Sequence, residues 1–231
     1  MIISPIESNT WLILIAVISY IIGSFPTAYL ATKRMTGKDI RLAGSHNVGA
    51  MNAYRVIRDA KSRNPAVASL IGITAVDMWK AILAIYIAGW LGFLGYNPLA
   101  ALIIGGSFVV LGHIYPFYFK FKESGRGIAA FMGVLLALNE LSLPIWCVTV
   151  GASIFAAQYV LIGKINRKAF FSILGTQVVG RVVGMGVALV PLYFFDHRLL
   201  FPALAATILI LIRHIDRVRA YLRELPTRQN P

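Results

Sequence analysis

Apolar and polar positions follow one another in long blocks along this chain. Seven apolar stretches are predicted to be helices, since about 20 apolar residues in a row cross the hydrocarbon core of a bilayer. Five reach that length comfortably, whereas the fourth and the seventh are shorter. The pattern therefore predicts an all-α, polytopic integral membrane protein with about seven transmembrane helices. The predicted spans are 10–31, 70–94, 98–119, 127–140, 143–163, 169–195 and 199–213.

The basic residues orient these spans. Nineteen of the 22 Lys and Arg lie in four polar segments that fall on one side if every span crosses. The positive-inside rule makes that side cytoplasmic, with the N-terminus outside and the C-terminus inside. A re-entrant fourth span would invert the later topology and export a basic loop, so crossing is favoured. The four segments are 32–64, 120–126, 164–168 and 213–231.

The composition of the chain favours some classes of protein over others. Charged residues make up 13% of the chain, well below the roughly 25% of soluble domains. The net charge of +13 follows from the cytoplasmic loops, and no nucleic-acid partner is expected. With one cysteine, no nucleotide motif and no cluster of metal ligands, we expect no cofactor and no internal disulfide. No internal repeat indicates a two-half transporter, so residues 1–231 are predicted to form a single domain.

The first cytoplasmic segment contains the polar stretch AGSHNVGAMN, at residues 43–52. Gly44 and Gly49 permit backbone conformations in which N–H groups converge on an anion. Ser45, Asn47 and Asn52 supply donors and acceptors, and Arg55 follows Asn52 at helical spacing. This suits a phosphorylated or polyhydroxyl ligand; the alternative is a polar turn at the membrane surface.

Two more segments carry candidate chemistry. In SGRG, Gly125 and Gly127 flank Arg126 at the start of a predicted helix, which suits a phosphate, although a tight turn between spans explains the glycines equally well. In the last segment, helical spacing places His214 and Arg217 together at the inner membrane surface. The alternative there is a basic membrane anchor. His113 is expected to be a structural histidine in the bundle.

Three charges fall within the predicted spans. Asp77 and Lys80 lie three residues apart, so a helix can pair them, and Lys80 near the span's edge can also snorkel to the surface. Arg181, in the sixth span, is a functional-site hypothesis by default. A pairing between Arg181 and Asp77 is an equally good interpretation.

In combination, these segments resemble the acyl-phosphate:glycerol-3-phosphate acyltransferases, the PlsY family of phospholipid synthesis. The resemblance spans nearly the whole chain, and its order and spacing are specific. It rests on GSFPTAYL at 23–30, GKDIR at 37–41, GSHNVGAMN at 44–52, DMWK at 77–80, GHIYPFYFKFKESGRGIA at 112–129 and RH at 213–214.

The resemblance implies an enzyme of the cell membrane with its site at the cytoplasmic face. Such enzymes move a fatty acyl group from acyl phosphate to the 1-hydroxyl of glycerol 3-phosphate, forming lysophosphatidate, in contact with membrane lipids. We expect the protein to act as a monomer. The resemblance implies catalytic roles for Ser45 and His214. It implies binding roles for Asn47, Asn52, Arg55, Lys122, Gly125, Arg126, Gly127 and, with poorly aligned neighbours, Ser172.

The chain departs from the family pattern in all three motifs. His46 replaces a glycine, Met51 a threonine, Ser124 lies in a glycine region, and Arg217 replaces an asparagine. These departures leave open a divergent enzyme with another polyol phosphate or acyl donor, and an inactive membrane scaffold. A transporter for a phosphorylated solute is a third alternative. We treat His46 as an indication of altered substrate contact rather than as the catalytic base.

The reaction itself needs three things: removal of the hydroxyl proton, polarisation of the acyl carbonyl and stabilisation of the leaving group. No histidine has an acid five residues on, as the HxxxxD motif of thioester-dependent acyltransferases does. The leaving group of an acyl phosphate is already an anion, so a weaker base suffices. His214 or a substrate phosphate oxygen would then accept the proton, and the spans would form a groove for the acyl chain.

Overall fold

The computed structural model describes residues 5–95, 97–122, 124–163, 173–174 and 176–224. Within them the chain is helical, with three short 3₁₀ turns at Ile40–Leu42, Phe117–Phe119 and His197–Leu199. The helices are α1 (Pro5–Gly23), α2 (Thr27–Thr36), α3 (Ala50–Ala60), α4 (Arg63–Leu94), α5 (Pro98–Ile114), α6 (Ile128–Leu138), α7 (Ser142–Ile162), α8 (Val178–Val187), α9 (Leu189–Phe195), α10 (Leu200–Ile212) and α11 (Ile215–Glu224).

Helices α1 to α6 belong to one compact unit, which extends to residue 140. Its central element is α4, which packs against α1, α2, α3, α5 and α6. Glycines allow the closest of these approaches, as is usual between membrane helices. A Cβ on Gly133 of α6 would meet the backbone carbonyl of Met78 in α4, and one on Gly23 of α1 would meet that of Val109 in α5.

The break between α1 and α2 has a local cause. Pro26 has no backbone N–H and caps the start of α2, with φ at −88°, so the helical hydrogen-bond ladder cannot continue through it. The backbone therefore bends at residues 24–26, where Phe25 N donates to the carbonyl of Ile22 at 3.4 Å and Thr27 N to that of Phe25 at 3.0 Å. Across the break, residues 9–36 still form one apolar segment long enough to span a bilayer.

Helices α7 to α11 belong to a second compact unit, which begins at residue 141. Here α8 packs against α7, α9, α10 and α11. Gly180 and Gly184, one turn apart on α8, lie against the backbone of α7, where an added Cβ would be 2.6 Å and 3.0 Å from the Cα atoms of Ile154 and Val150. This is the small-residue spacing that brings membrane helices together.

The structure bears out an all-helical, multi-pass membrane protein. Among the described residues, five segments are long and apolar enough to span a bilayer, and two shorter apolar helices match the predicted fourth and seventh spans. Some boundaries differ from prediction, and the first apolar segment runs to residue 36 rather than 31. Helix α4 begins at Arg63, seven residues before the predicted 70, because its first two turns pack on α3. The predicted loop 32–64 also contains a helix of its own, α3. The long spans are 9–36, 63–94, 98–119, 142–162 and 178–195.

Candidate active site

The first loop, residues 37–49, is held in shape by the side chain of Asn52. The Ser45 N–H donates to Asn52 Oδ1 at 2.9 Å. Asn52 Nδ2 in turn donates to the carbonyls of Ala43 at 3.0 Å and Ile40 at 3.4 Å. The side chain is 1% exposed. Sequence analysis expects Asn52 to contact the substrate; in this structure its amide is buried and bonded to the loop backbone instead.

Two left-handed residues give the first loop its path. Gly44 has φ of 61° and His46 has φ of 59°, a region that costs a side-chain-bearing residue about 1–2 kcal/mol. The His46 ring compensates through a 3.0 Å hydrogen bond between Nδ1 and the carbonyl oxygen of Arg41. Since a carbonyl only accepts, Nδ1 carries the hydrogen. The left-handed backbone explains why glycine is the expected residue at this position.

Ser45 and Asn47, on either side of His46, are the two side chains that we most expected to contact the substrate. Ser45 is exposed, and Asn47 is partly buried. The Asn47 Oδ1 atom is fully buried and meets no hydrogen-bond donor in the part of the chain that the structure describes. An acceptor in this position is suited to a hydroxyl donor from a ligand.

The first loop is mostly polar, but two of its apolar residues are buried. Ile40 and Val48 are 0% and 4% exposed and belong to a core cluster with Ala53, Ile57 and Phe119. This cluster joins α3 to Phe119, which directly precedes the second loop. The loop is therefore a fixed part of the first unit, not a free surface connection.

The second loop, residues 120–127, follows the end of α5. Its backbone returns toward that helix, because Ser124 N donates to the carbonyl of Ile114 at 2.8 Å and Gly125 N to that of His113 at 3.3 Å. Gly127, with φ of 81°, then starts α6. The left-handed φ is the reason that this position suits glycine.

One backbone hydrogen bond joins the two loops. Val48 N donates to the carbonyl of Ser124 at 3.2 Å. Helix α3 begins at Ala50, two residues after Val48, and α6 begins at Ile128, four residues after Ser124. Two helix N-termini, neither with an acidic residue in its first turn, therefore start next to one contact. Free N–H groups and the helix dipole make such ends favourable for anions.

Three basic residues lie on the elements joined by this contact. Arg55 lies one turn along α3 and is partly exposed, Lys122 is exposed, and Arg126 is partly buried between its two glycines. Among the described residues, no hydrogen bond or ion pair engages the charged groups of Arg55 and Lys122. The first unit thus brings together the predicted residues of two motifs in a cationic, donor-rich arrangement.

The third motif lies in the second unit. His214 occupies the turn between α10 and α11 and is 0% exposed, with Nδ1 2.8 Å from the carbonyl oxygen of Ile210. Nδ1 therefore carries the hydrogen, and Nε2 is the acceptor of the neutral ring. His214 was expected at the membrane surface together with Arg217; its side chain is buried within the second unit, in the turn after Ile212 where α10 ends. Ser172 lies outside the described residues.

The charges within the spans form contacts that sequence analysis foresaw only in part. Lys80 Nζ lies 2.9 Å from Asp77 Oδ1, as the helical spacing predicts. The snorkelling alternative was wrong, since Lys80 is 7% exposed and is held by this pair. Arg181 Nη2 donates to the carbonyl of Leu174 within the second unit, and its pairing with Asp77 stays a prediction. His113 lies in the bundle beside Asp77, in keeping with its expected structural role.

Comparisons with known proteins extend this picture. A family model described as glycerol-3-phosphate acyltransferase matches residues 13–224. A glycerol-3-phosphate acyltransferase of Staphylococcus saprophyticus subsp. saprophyticus is 28% identical over 220 residues, which cover 93% of this chain and 96% of that protein. One of Staphylococcus haemolyticus is 29% identical over 182 residues, covering 77% of this chain and 85% of that protein.

Two solved structures share the fold. Both are crystal structures of PlsY, an integral membrane glycerol 3-phosphate acyltransferase. The glycerol 3-phosphate form superposes with a TM-score of 0.67 at 23% identity, over 95% of this chain and 96% of that one. The lysophosphatidic acid form gives 0.66 at 22% identity, over 95% of each chain.

Proposed function

The chain belongs to the glycerol-3-phosphate acyltransferase family. This family reaction transfers a fatty acyl group from acyl phosphate to the 1-hydroxyl of glycerol 3-phosphate, and we propose roles in it for individual residues of this chain. The reaction forms lysophosphatidate in phospholipid biosynthesis. Each substrate carries a phosphate, so the site needs two places for an anion and one for the reacting hydroxyl and carbonyl.

The observation that carries the proposal is the hydrogen bond between Val48 and Ser124. It joins two loops that each end in a helix N-terminus. One such end already favours a phosphate, and two ends beside a single contact match a reaction between two phosphorylated molecules. The absence of acidic residues from the first turns of α3 and α6 keeps both ends attractive to anions.

Basic side chains and glycine-flanked backbone bind the phosphates. Arg55 and Lys122 supply charge that no acidic partner in the described part of the chain neutralises. Arg126, between Gly125 and Gly127, adds a planar guanidinium suited to two phosphate oxygens. These cations also stabilise the phosphate that leaves when the acyl carbon–oxygen bond breaks.

The first loop orients the acceptor. Ser45 and Asn47 contact the glycerol hydroxyls or the acyl carbonyl, and the buried Oδ1 of Asn47 accepts from a substrate hydroxyl. Asn52 acts through the loop, as a positioning residue that holds Ser45 in place. The serine at 172 completes the set by resemblance alone.

Acyl transfer requires a proton acceptor for the 1-hydroxyl. Its oxygen bonds to the acyl carbon as the carbon–oxygen bond to phosphate breaks, and the proton goes to His214 Nε2 or to a phosphate oxygen. Because Nδ1 of His214 donates to the Ile210 carbonyl, Nε2 is the nitrogen of the neutral ring that would take up this proton. A metal ion or organic cofactor has no step in this scheme.

The finer topology belongs to the same proposal. The two short apolar helices, α6 and α10, cross with the five long ones. This puts the N-terminus outside, the C-terminus inside and the site at the cytoplasmic face. The family match runs through both compact units, which supports one catalytic domain over residues 1–231. The protein works as a monomer among membrane lipids.

Acyl transfer from palmitoyl phosphate to radiolabelled glycerol 3-phosphate by purified protein tests the proposal. Arg55→Ala should raise the KM for glycerol 3-phosphate at least 10-fold, because a charge-assisted contact to phosphate contributes about 1.5–3 kcal/mol. Arg58→Ala is the matched control on the same helix, since Arg58 is exposed and paired with Asp59 at 2.9 Å.

His214→Ala should lower kcat by about 100-fold or more if the imidazole is the base, with exposed His197→Ala as the control. A normal kcat with His214→Ala and a raised KM with Arg55→Ala would assign the proton to the substrate phosphate. Unchanged kinetics in both variants would overturn the site. Product formation only from another polyol phosphate or donor would identify a divergent enzyme, and no product at all an inactive scaffold.

A further inference from the structure

A cluster of polar and charged side chains lies in the interior of the first unit, outside the residues assigned to binding and proton transfer. We propose that Asp77, Lys80, Thr27 and His113 form a positioning device for the second loop and, through it, for the first. The proposal rests on the proposed function, because it treats these loops as the phosphate-binding elements.

Asp77 is the centre of the cluster. Its Oδ1 accepts from Thr27 Oγ1 at 3.0 Å and from Lys80 Nζ at 2.9 Å, and it lies 3.7 Å from His113 Nδ1. Thr27 and Lys80 come from α2 and α4, so the carboxylate joins these two helices, and the His113 ring of α5 lies beside it beyond hydrogen-bond distance. Asp77 is 2% exposed.

Lys80 extends the cluster to the break between α1 and α2. Its Nζ also donates to the carbonyl of Phe25 at 3.0 Å, which in addition accepts from Thr27 N at 3.0 Å within the bend. Lys80 thereby ties the bend of the first span to Asp77.

His113 connects the cluster to the second loop. Its ring fills the space beside Gly125, where an added Cβ would collide with Nε2. Its own carbonyl accepts from Gly125 N at 3.3 Å. The position of the imidazole therefore limits where Gly125 can lie, and Ser124, the next residue back, bonds to Val48 of the first loop.

A small cavity shows the same relation. Its lining includes Thr27, Asp77 and His113 from the cluster together with Val48 and Ser124 from the joined loops. The cluster thus lies directly behind the contact at which the two helix N-termini start.

Stability alone is a weak reason for such a cluster. Burying an ion pair costs as much as, or more than, the attraction between its charges returns, and apolar replacements of both partners are often neutral or stabilising. What the pair supplies is a defined geometry for the helices that carry the loops. Because a displacement of about 1 Å can cost roughly 100-fold in rate, geometry is where its loss should be measured.

The test removes both charges at once. The double variant Asp77→Asn, Lys80→Met leaves no uncompensated buried charge, so it should unfold at a temperature close to that of wild type. We expect kcat for acyl transfer to fall by about 10- to 100-fold, with a smaller change in the KM for glycerol 3-phosphate. Ser69→Ala is the control, since Ser69 is a buried polar residue of the same helix bonded only to the Ala66 carbonyl.

A second perturbation checks the route through His113. Gly125→Ala displaces the His113 ring directly. Because both changes disturb the same contact between the cluster and the second loop, Gly125→Ala should lower kcat much less in the double variant than in wild type. Full additivity of the two losses would overturn the route. A folded double variant with wild-type kcat would overturn the proposal.

If the double variant does not fold, Thr27→Val removes a single donor to Asp77 with little change in shape. A wild-type kcat in that variant would also overturn the proposal. Hydrogen exchange of residues 120–127 without substrate should be faster in either variant and reports loop order independently of catalysis. An inactive wild type would therefore count against the proposed function, and unchanged exchange against the positioning cluster.

Discussion

Replacing Asn52 with alanine should disorder the first loop without unfolding the protein. The change removes three hydrogen bonds, to Ser45 N, Ala43 O and Ile40 O, of 2.9, 3.0 and 3.4 Å. At about 1 kcal/mol net for each bond, the loop loses roughly 3 kcal/mol of local stability. Since 1.4 kcal/mol is tenfold, its amides should exchange up to about 100-fold faster, and kcat/KM should fall because Ser45 and Asn47 are no longer held.

Hydrogen exchange with mass spectrometry, on detergent-purified protein without substrate, measures this effect. Asn97→Ala is a matched control: that side chain also accepts from a backbone N–H, that of Ala100 at 3.3 Å, but at the turn between α4 and α5. Its exchange pattern in residues 37–49 should be that of wild type. If Asn52→Ala raised only the KM for glycerol 3-phosphate and left substrate-free exchange unchanged, Asn52 would be a direct ligand and the positioning argument would be wrong.

Three further outcomes follow from the loops and the helix packing. His46→Gly should retain more protection of the first loop from hydrogen exchange, and more activity, than His46→Ala. Both variants lose the hydrogen bond of the ring, but glycine avoids the left-handed strain of about 1 kcal/mol that alanine keeps. Equal behaviour of the two variants would refute this. The Arg41 guanidinium hydrogen-bonds the Asp39 carboxylate and lowers its pKa from 3.8, so the carboxylate stabilises the loop above about pH 3.8 and the gain is lost as pH falls below that. Asp39→Asn should therefore speed hydrogen exchange of the first loop at pH 7, by a factor that corresponds to at most about 1 kcal/mol for this exposed pair. The difference in exchange rate between the variant and wild type should shrink below pH 3.8. Gly184→Leu should lower the thermal midpoint by crowding α8 against α7, at a cost of about 1–3 kcal/mol, whereas Gly186→Leu, with open space around its Cα, should not.

The pattern of the chain was enough for the membrane architecture. Long apolar runs mark the end of α4 and the starts of α5 and α7 to within one residue, because a bilayer imposes a length that the apolar pattern reveals. Helix α3 was missed for the opposite reason. Its apolar residues, among them Ala53 and Ile57, are too few for a span. The polar residues between them made the segment resemble a loop.

The motifs of the chain supplied the members of the candidate site but not their contacts. Of the motif glycines, Gly44 and Gly127 adopt positive φ values of 61° and 81°, which glycine reaches more easily than other residues. That the two loops meet through Val48 and Ser124 depends on how α3, α4 and α5 pack, which no local pattern records. The same limit applies to Asp77 and Lys80: helical spacing predicted their pairing, while their burial depends on neighbours 50 or more residues away in the chain.

His46 shows how structure changes the meaning of a departure from a motif. From the sequence, a histidine in place of glycine suggested altered substrate contact. The backbone at this position is left-handed, so the family glycine has a conformational reason to be there. Histidine is among the residues that tolerate this region, and here its ring satisfies the Arg41 carbonyl. The exchange is therefore compatible with the left-handed turn of the loop, so His46 by itself does not require a different substrate contact.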